Sequence, residues 1–487
     1  MHKILFGTMF SLLLLSTSCD LDKFPDDSIT TETAWQSISD AEKFRNGMYG
    51  TFMAVNGGIY TYIPDYQTDV FNATISFSNR GGDIYRWDFT SSQYDIEDTY
   101  EYNYECINNC NNILQNIDKI TIEDADEQAR ADMIKGEAYL IRALCYHTLV
   151  VRFAKDYEPS SATSDLGMPL VLEMDPEGKP SRATLEETYK QIKSDISESR
   201  KLLKTEGTAN AIYMTMDVID AFEARVDLYM HNYSDAITLA KKIIAKYPLI
   251  TTEEGLASMW LNDKGSEIVF KVFMSQDERK TNQEMQYYLN YNTGANLFSP
   301  DFVPTKWVVD LYEDNDIRKQ VYFLEDSVVC NSTKVGGVYL LNKYPGNPEL
   351  KTSTYQYYQM PKIFRAAESY LIAAEAAYNE GNTVEALEYI NNLRVARQAS
   401  SLNLNGEAVF KAIKDEWIRE FIGEGHRLND LKRWHDGFSR HDTQTPSIIM
   451  SGANYNEKTV SADDQRFVWE FPANDLKANS NLIPNWK

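Results

Sequence analysis

The residues with the greatest potential for chemistry crowd into one segment near the carboxyl end of the chain. It reads EWIREFIGEGHRLNDLKRW, and its ionisable members include Glu416, Glu420, Glu424, His426, Arg427, Asp430 and Arg433. Glu416 and Glu420 lie on one face of a predicted helix, where two carboxylates could act as an acid and a base. Because Arg427 and Arg433 follow closely, we expect them to pair with these carboxylates and keep them ionised. The segment is therefore predicted to be structural.

Other patterns for catalysis or metal binding are weak or missing in the sequence. It contains no HExxH zinc motif, no GxSxG nucleophile elbow and no phosphate loop. His147 lies in a hydrophobic helix and is predicted to be a satisfied core histidine. The acidic run EDNDIRK near 313–319 lacks the Gly and the closing Glu of a calcium loop, so a cation there stays an open alternative. We expect a protein that is not an enzyme and has no cofactor and no metal.

The cysteines after position 19 are too few and too scattered to form a disulfide framework for a chain of this length. They are Cys106, Cys110, Cys145 and Cys330. Cys106 and Cys110 are one helical turn apart, but no nearby His or third Cys completes a zinc set. We interpret them as small buried residues.

Two loop stretches carry residue types that suit ligand binding. Ring faces can stack on a ligand, and planar polar side chains can hydrogen-bond its hydroxyl or amide groups. The first stretch, DYQTDVFNATISFSNRGGDIYRWDFTSSQY, offers Asp69, Asn79, Arg80, Tyr85 and Trp87. The second, QYYLNYNTGANLF, offers Tyr287, Tyr288, Asn290, Tyr291 and Asn292. We predict that these residues bind the ligand. The alternative for each residue is that it packs a long loop onto the scaffold.

The elements that must position these loops are predicted to be mostly helices. A capping box formed by Ser39 and Glu42 predicts the start of the first helix. Residues 52–98 are rich in Gly, Asn and Tyr and are predicted to form a long loop. A second capping box, at Thr184 and Glu187, predicts the start of another helix.

Two further helices and one large insertion complete the predicted outline. Helices are expected over 99–118 and 126–153, and the second is apolar on nearly every face, so it should be buried. Residues 250–362 form the predicted insertion, in which EIVFKVFM is a strand and the Asn-, Gly- and Tyr-rich segments are loops. Long loops inside a compact protein are usually functional or disordered, and the dense aromatics argue against disorder.

A repeat of small residues indicates how the helices pair. In VIDAFEARVDLYMHNYSDAITLAKKIIAKYP, Ala224 and Ala236 are twelve positions apart, and in YLIAAEAAYNEGNTVEALEYINNLRVAR so are Ala374 and Ala386. Gly381 lies in the turn between the second pair of helices. This pattern is typical of tetratricopeptide helix pairs, whose period is about 34 residues. The predicted fold is all-α dominated, with degenerate tetratricopeptide-like pairs, long loop insertions and a few short strands.

Composition and charge narrow the class of ligand. Among the 487 residues, 31 are Tyr and 12% are aromatic, which is typical of proteins that hold sugars or peptides against ring faces. The net charge is −24, the opposite of the field that a phosphate-binding surface needs. Nucleic acid is therefore excluded as a partner. Neutral or cationic ligands remain compatible with this charge.

The amino terminus predicts the compartment. Residues 1–18 have a basic start, an apolar run too short for a permanent membrane span, and small residues before Cys19. They resemble a bacterial lipoprotein signal peptide, which implies that Cys19 is acylated and becomes the first mature residue. The polar segment 19–35 is predicted to be a flexible tether. Asp20 and Asp22 in it resemble the surface-export signal of Bacteroides-type lipoproteins.

Several segments occur together in an order that resembles the SusD/RagB family along essentially the whole chain. They are the lipoprotein start followed by LDKFP, EAYLIRALCYHTLVVRFAKDY leading to DLGMPLV, ESYLIAAEAAYNEGNTVEALEYINNLRVAR, EWIREFIGEGHRLNDLKRW and the closing WEFPANDLKANSNLIPNWK. The resemblance implies one α-helical domain over residues 36–487. It also implies a lipid anchor at the outer membrane, an orientation facing the cell exterior, and a SusC-like TonB-dependent barrel transporter as partner.

The resemblance leads to one preferred function and three alternatives. The preferred function is capture of a nutrient glycan, an oligosaccharide or polysaccharide, for import through the barrel. Peptide capture for import is the first alternative, because the acidic charge suits cationic or mixed peptides. A surface hydrolase is disfavoured by the lack of an organised catalytic set, and a purely structural repeat protein by the aromatic loops.

Overall fold

The computed structural model describes residues 34–175, 177–279, 283–440 and 443–486, and helices form most of its regular structure. The helices are α1 (Ile38–Val55), α2 (Ile59–Tyr66), α3 (Gly82–Arg86), α4 (Tyr94–Asn116), α5 (Ala125–Phe153), α6 (Leu185–Leu202), α7 (Met216–Tyr229), α8 (Tyr233–Lys246), α9 (Glu253–Asn262), α10 (Lys306–Asp310), α11 (Ile317–Tyr322), α12 (Ala366–Asn379), α13 (Thr383–Ala396), α14 (Glu407–Phe421), α15 (Arg427–Arg433) and α16 (Ala473–Ala478). The predicted signal peptide and Cys19 lie outside the described residues.

The strands are short and form small sheets between the helices. They are β1 (Phe71–Ala73), β2 (Leu166–Pro169), β3 (Arg182–Thr184), β4 (Ile268–Lys271), β5 (Tyr291–Asn292), β6 (Leu297–Phe298), β7 (Phe302–Pro304), β8 (Phe323–Cys330), β9 (Thr333–Leu341), β10 (Lys362–Arg365), β11 (Phe438–Ser439) and β12 (Thr459–Val460). Antiparallel pairs join β1 to β7, β2 to β3, β4 to β10 and β11 to β12, while β5, β6, β8 and β9 form one sheet in that order. The predicted fold class is confirmed.

The two predicted capping boxes have different outcomes. Thr184 caps α6 as predicted: its hydroxyl accepts from the Glu187 N–H at 3.1 Å, and the Glu187 carboxylate accepts from the Thr184 N–H at 2.8 Å. The box that begins α1 is shifted by two residues from the prediction. Ser37 is the N-cap, and the Asp40 carboxylate accepts from its N–H at 3.1 Å and from its hydroxyl at 2.9 Å. The sequence QSISDAE offers both registers, which explains the error.

The prediction of a continuous loop over 52–98 is wrong. Helix α1 continues to Val55, and α2, β1 and α3 follow before α4 begins at Tyr94. Helix α2 forms because Tyr62, Ile63 and Tyr66 give the short segment a buried apolar face. Irregular backbone is confined to the connections between these elements.

The two tetratricopeptide-like pairs are present and stack on each other. Helix α7 packs against α8, α12 packs against α13, and α12 also packs against α8. Ala224, Ala236, Ala374 and Ala386 are all fully buried, so the small residues allow close helix approach as expected. Gly381 has a φ of +82° in the second turn, a conformation that favours glycine. The two helix pairs are therefore neighbours in space although the insertion separates them in the sequence.

The inserted region contains more regular structure than predicted. Strand β4 is confirmed within EIVFKVFM, and it pairs with β10 at the start of α12. The segment GGVYLL, predicted to be a loop, belongs to β9, which pairs antiparallel with β8 from Phe323 opposite Leu341 to Cys330 opposite Thr333. Pairing over this length buries Val338 and Leu340 on one face, which outweighs the flexibility of the two glycines.

The acidic and basic segment near the carboxyl end forms a buried ion network. Glu420 pairs with Arg365 at 2.7 Å, with Arg397 at 2.9 Å and with Arg318 at 3.1 Å. Glu416 pairs with Arg318 at 2.6 Å and also contacts other arginines. Burial opposes ionisation of Glu420, but the three surrounding guanidinium groups outweigh it, so its pKa lies well below the usual range. The structural role of the segment is therefore supported.

The predicted partners of these carboxylates were wrong. Arg427 pairs with Asp69 at 2.8 Å, and Arg433 pairs with Glu375 and Asp430. Helix α14 ends at Phe421, and Gly423 and Gly425 then turn the chain before α15. The two arginines therefore lie on a different helix, α15, where they pair with other carboxylates. The true partners come from α11, β10 and the end of α13, which are distant in sequence, and, for Glu416, also from Arg419 on α14 itself.

The remaining expectations about the core are largely met. The four described cysteines are free and buried, as predicted. His147 is buried in α5, but its Nε2 has no hydrogen-bond partner among the described residues, so it is not the satisfied histidine that was expected. Within the described ranges, no helix has both the length and the apolar character needed to cross a membrane.

Candidate functional site

The structure brings the two predicted loop stretches together. Strand β1 pairs with β7, with Phe71 opposite Pro304. The Ser78 hydroxyl donates to the Asp301 carboxylate at 2.5 Å, and Arg80 donates to the Tyr287 hydroxyl. The contacts form because both stretches flank the paired strands. Residues far apart in sequence thus share one surface region.

Five of the predicted binding residues are buried. They are Asp69, Tyr85, Trp87, Tyr287 and Tyr288. Trp87 Nε1 donates to the Gln67 carbonyl at 2.6 Å, and Asp69 is held by its ion pair with Arg427. A ring enclosed on both faces has no surface for a ligand, so the prediction is corrected for Tyr85, Trp87 and Tyr288. These rings pack the loop onto the scaffold, which was the alternative.

The other five predicted residues are exposed and remain candidates. They are Asn79, Arg80, Asn290, Tyr291 and Asn292. The Arg80 guanidinium lies 5.4 Å from the centroid of the Tyr287 ring, which holds this long side chain in place. Tyr94 lies in the first stretch but was not among the predicted binding residues, and it is 51% exposed. It lies close enough to Arg80 for the two side chains to interact electrostatically. We call Asn79, Arg80, Tyr94 and Tyr291 the loop cluster.

A larger candidate site was missed by the sequence analysis. An open groove of about 950 Å³ lies between α1, α4 and the segments 212–213 and 272–279. Tyr213 is 46% exposed and Phe273 is 47% exposed, and both line the groove. Exposed apolar side chains that line one groove together often mark a binding surface. The groove therefore offers two ring faces to a ligand.

Backbone pairing holds the two rings in position. Ala211 forms an isolated bridge with Phe270 of β4, and the Lys271 N–H donates to the Ala211 carbonyl at 3.0 Å. The Met214 N–H donates to the Tyr49 hydroxyl at 3.0 Å, which ties this segment to α1. Tyr213 and Phe273 thus follow two adjacent segments and line the same groove.

Two glycines of α1 leave the floor of the groove open. Gly47 and Gly50 are three positions apart on the helix, and a Cβ added at either would meet nothing within 4 Å. Glycine inside a helix costs roughly 0.5–1 kcal/mol relative to alanine. The two glycines of the segment NGMYG therefore make α1 less stable, but they leave space in the groove for a ligand. Two glycines one turn apart inside a predicted helix were the sequence signal that could have revealed the groove.

The polar groups of the groove are mixed in sign. Glu105, Asp277 and Glu278 line it together with Arg279. The Arg45 guanidinium lies over the Tyr213 ring, 4.3 Å from its centroid, and this contact helps to fix the position of the ring. Apolar rings beside several hydrogen-bonding groups suit a ligand that has both apolar faces and hydroxyl or amide groups.

Asp95, next to Tyr94, is predicted to make the stability of the protein depend on pH. Burial raises the pKa of this carboxyl group to about 7, although a hydrogen bond from Gln93 opposes the shift. The unfolded value is about 3.9, so the folded state loses stability as the pH rises from about 4 through 7. Asp95→Asn cannot ionise, and we expect it to unfold at a higher temperature than the wild type at pH 8.

Thermal unfolding at pH 5 and at pH 8 would check this prediction. The expected gain at pH 8 is about 1–2 kcal/mol, less than the full shift because the amide loses a charge-assisted hydrogen bond. At pH 5 the variant should gain less than at pH 8, because only part of the destabilisation by Asp95 is present at that pH. The exposed Asp118→Asn is the control and should change neither value. If Asp95→Asn is less stable than the wild type at pH 8, the raised pKa of Asp95 is contradicted.

The fold and the groove define a helical scaffold protein that presents an open, aromatic-lined surface. A sequence model described as the SusD family matches residues 328–486, and one described as starch-binding associating with outer membrane matches residues 21–228. SusD-like protein P38 of Formosa agariphila is 23% identical over 89% of this chain and 90% of its own length. The starch-binding protein SusD of Bacteroides thetaiotaomicron is 31% identical over 25% of this chain and 20% of its own.

Solved structures agree with these sequence matches. A SusD superfamily protein from Bacteroides thetaiotaomicron has a TM-score of 0.79 and 25% identity, with 93% of this chain and 100% of that chain covered. A putative sugar binding protein from Bacteroides vulgatus has a TM-score of 0.78 and 26% identity, with 93% and 99% covered. The chain belongs to the SusD/RagB family.

Proposed function

We propose that this protein captures a nutrient glycan, an oligosaccharide or polysaccharide, and delivers it to a SusC-like TonB-dependent transporter. The observation that carries the proposal is the groove with two half-exposed rings, Tyr213 and Phe273, above a floor opened by two glycines. Sugar rings have apolar faces that stack on aromatic rings and hydroxyl groups that need hydrogen-bond partners. The groove and the loop cluster supply both kinds of contact. One relative is a starch-binding protein and another a putative sugar binding protein, which supports the same ligand class.

The proposal includes the location of the protein. Cys19 is acylated after removal of residues 1–18, and segment 19–35 tethers residues 36–487, folded as one domain, to the outer membrane on its external side. The lipoprotein-like signal supports this, and so does the family description that associates its members with the outer membrane. Mass spectrometry of the mature amino terminus would test the acyl group. An unmodified Cys19, or cleavage elsewhere, would contradict the anchor.

The proposed role is binding without catalysis. Glu416 and Glu420, the best candidates for acid and base, are fully buried and paired with arginines in the ion network. An ion-paired carboxylate with a pKa below the usual range is a poor proton donor near neutral pH. Incubation of each bound glycan with the protein and analysis of its chain length would test this. A shortened product would favour the surface hydrolase.

Substitutions at Gly50 test the groove without disturbing the core. A methyl group at this position meets open space, so Gly50→Ala should stabilise α1 slightly and leave glycan binding unchanged. Gly50→Leu also favours the helix, but its longer side chain extends into the groove. We expect Gly50→Leu to weaken glycan binding at least tenfold.

Calorimetric titration with panels of polysaccharides, oligosaccharides and peptides would measure these affinities for the wild type and both variants. Binding of a saccharide that Gly50→Leu alone weakens supports glycan capture in the groove. Binding of peptides alone would move the assignment to peptide capture for import. If all three proteins bind a saccharide with equal affinity, glycan capture is supported but the groove is not its binding site.

A further inference from the structure

A second cavity lies within the helical scaffold, apart from the groove. Its volume is about 160 Å³, and it is lined by parts of α2, α5, α7 and α9 and by the segments 359–363 and 424–426. It has no lining residue in common with the groove. Taking about 15 Å³ for each water, the cavity has room for roughly ten water molecules, or for one monosaccharide. No role proposed above uses it.

Arg152 is the exceptional residue of this cavity. It is 8% exposed, and among the described residues it forms no ion pair. Its Nε has no hydrogen-bond partner, and its guanidinium lies 5.1 Å from the centroid of the Trp469 ring. Buried charges are almost always paired, because an unpaired charge in a protein interior is costly. The ring contact and the charge of the Asp65 carboxylate offset part of this cost, but no described carboxylate forms a direct ion pair with Arg152.

The other charged groups around the cavity are already paired within the protein. Arg225 donates to Glu368 through two nitrogens, at 2.5 Å and 2.7 Å. Lys362 donates to Asp263 at 2.7 Å, and Glu424 pairs with lysine and arginine neighbours. Among the described residues, the lining therefore carries one positive charge, on Arg152, that has no direct ion-pair partner. An anionic group would fit beside it.

Further polar atoms of the lining have no partner within the protein. Trp260 Nε1 is an unused donor, and Gln359 Oε1 and Asn429 Oδ1 are unused acceptors. The His147 Nε2 is also unpartnered, and burial, with the charges of Arg225 and Lys432, lowers the pKa of this imidazole to about 3. A neutral imidazole can donate at one nitrogen and accept at the other. The lining can therefore bind several hydroxyl groups, each of which donates and accepts.

We propose that this cavity binds a small polyhydroxylated carboxylate of monosaccharide size, a sugar acid of the hexuronate class. The carboxylate pairs with Arg152, and the hydroxyl groups use Trp260 Nε1, Gln359 Oε1 and Asn429 Oδ1. A simple anion leaves the hydroxyl-binding atoms unpaired, and a neutral sugar leaves Arg152 without a direct ion-pair partner. The inference stands independently of glycan capture in the groove, because the two sites have separate linings.

Calorimetry on the purified protein with sodium glucuronate, glucose and sodium acetate would test this proposal. We expect glucuronate to bind at least tenfold more tightly than either of the other two. Arg152→Met removes the charge but keeps the length of the side chain, and it should weaken glucuronate binding at least tenfold. Arg130→Met, on the same helix but on the surface with an ion pair to Glu42, is the matched control and should bind like the wild type.

Arg152→Met should fold, because an unpaired buried charge is replaced by an apolar side chain. Circular dichroism and the thermal midpoint would verify this. If this variant does not fold, Trp260→Phe decides, since it removes the unused donor while keeping a ring, and it should weaken glucuronate binding several-fold. The proposal is overturned if the wild type binds no glucuronate at millimolar concentration, or if glucose or acetate binds as tightly as glucuronate. It is also overturned if the folded Arg152→Met variant binds glucuronate with wild-type affinity.

Discussion

Glu420→Gln is expected to lower the free energy of unfolding by about 3–5 kcal/mol at pH 7. The Glu420 carboxylate is fully buried and accepts from Arg365, Arg397 and Arg318. Glutamine has nearly the same shape but no charge, so three guanidinium groups lose a shared counter-charge in a site that water does not reach. This is one of the few mechanisms that make a single substitution severely destabilising.

The effect should depend on pH in a defined direction. The folded pKa of Glu420 lies well below its usual value, so its contribution to stability is full above about pH 4.3 and is lost as the pH falls through the folded pKa. Denaturant unfolding at pH 7 and at pH 3 would measure it, and the difference between wild type and variant should shrink in acid. Glu349→Gln, at an exposed pair with Lys264 of 3.6 Å, should change stability by about 0.5 kcal/mol or less.

A change of less than about 1 kcal/mol in Glu420→Gln would refute the structural role of the network. It would mean that other acidic groups compensate the arginines. Glu424 lies 2.7 Å from Arg365, and Glu267 lies 3.1 Å from Arg365 and 2.9 Å from Arg397. The network joins β10, α11, α13 and α14. We therefore expect it to fix the insertion against the repeats.

The helices and their pairing could be predicted because their signals are local. The twelve-residue spacing of Ala224 and Ala236 is a property of one segment, and so is the capping box of Thr184. The partners of Glu420 were not predictable in this way. Arg365 is 55 positions away and Arg318 is 102 away, and nothing local to α14 indicates them. A predicted helix establishes which residues share its face, but contact with other elements depends on tertiary packing.

The predictions that were corrected, for Tyr85, Trp87 and Tyr288, failed for a related reason. Tyr85 and Tyr288 have the residue type that a binding loop needs, but aromatic side chains are equally suited to a core. Residue type does not distinguish the two roles, and burial does. Tyr213 and Phe273 were missed because each lies outside the two aromatic-rich stretches. The two residues line one groove because the bridge between Ala211 and Phe270 brings their segments together. In the sequence, a whole tetratricopeptide-like helix pair separates these segments.

Removal of both groove rings should have the largest effect on binding. In the double variant Tyr213→Ala and Phe273→Ala, we expect the affinity for the bound saccharide to fall about a hundredfold. Loss of each stacking surface is taken as about 1.4 kcal/mol, which corresponds to tenfold in affinity. Because each ring is about half exposed, at 46% and 47%, the core loses little when it is removed.

Calorimetric titration of the two single variants and the double variant, beside unfolding in denaturant, would separate binding from stability. Met174→Ala is a matched control, since this apolar side chain is 53% exposed and does not line the groove. Additive losses in the single variants would indicate that the rings contact separate sugar units, whereas a loss from only one would place the ligand at one end of the groove. If the double variant binds as tightly as the wild type, the groove is not the capture site. Tyr94→Ala and Tyr291→Ala in the loop cluster then become the decisive variants, because they remove the other two exposed aromatic rings found among the described residues.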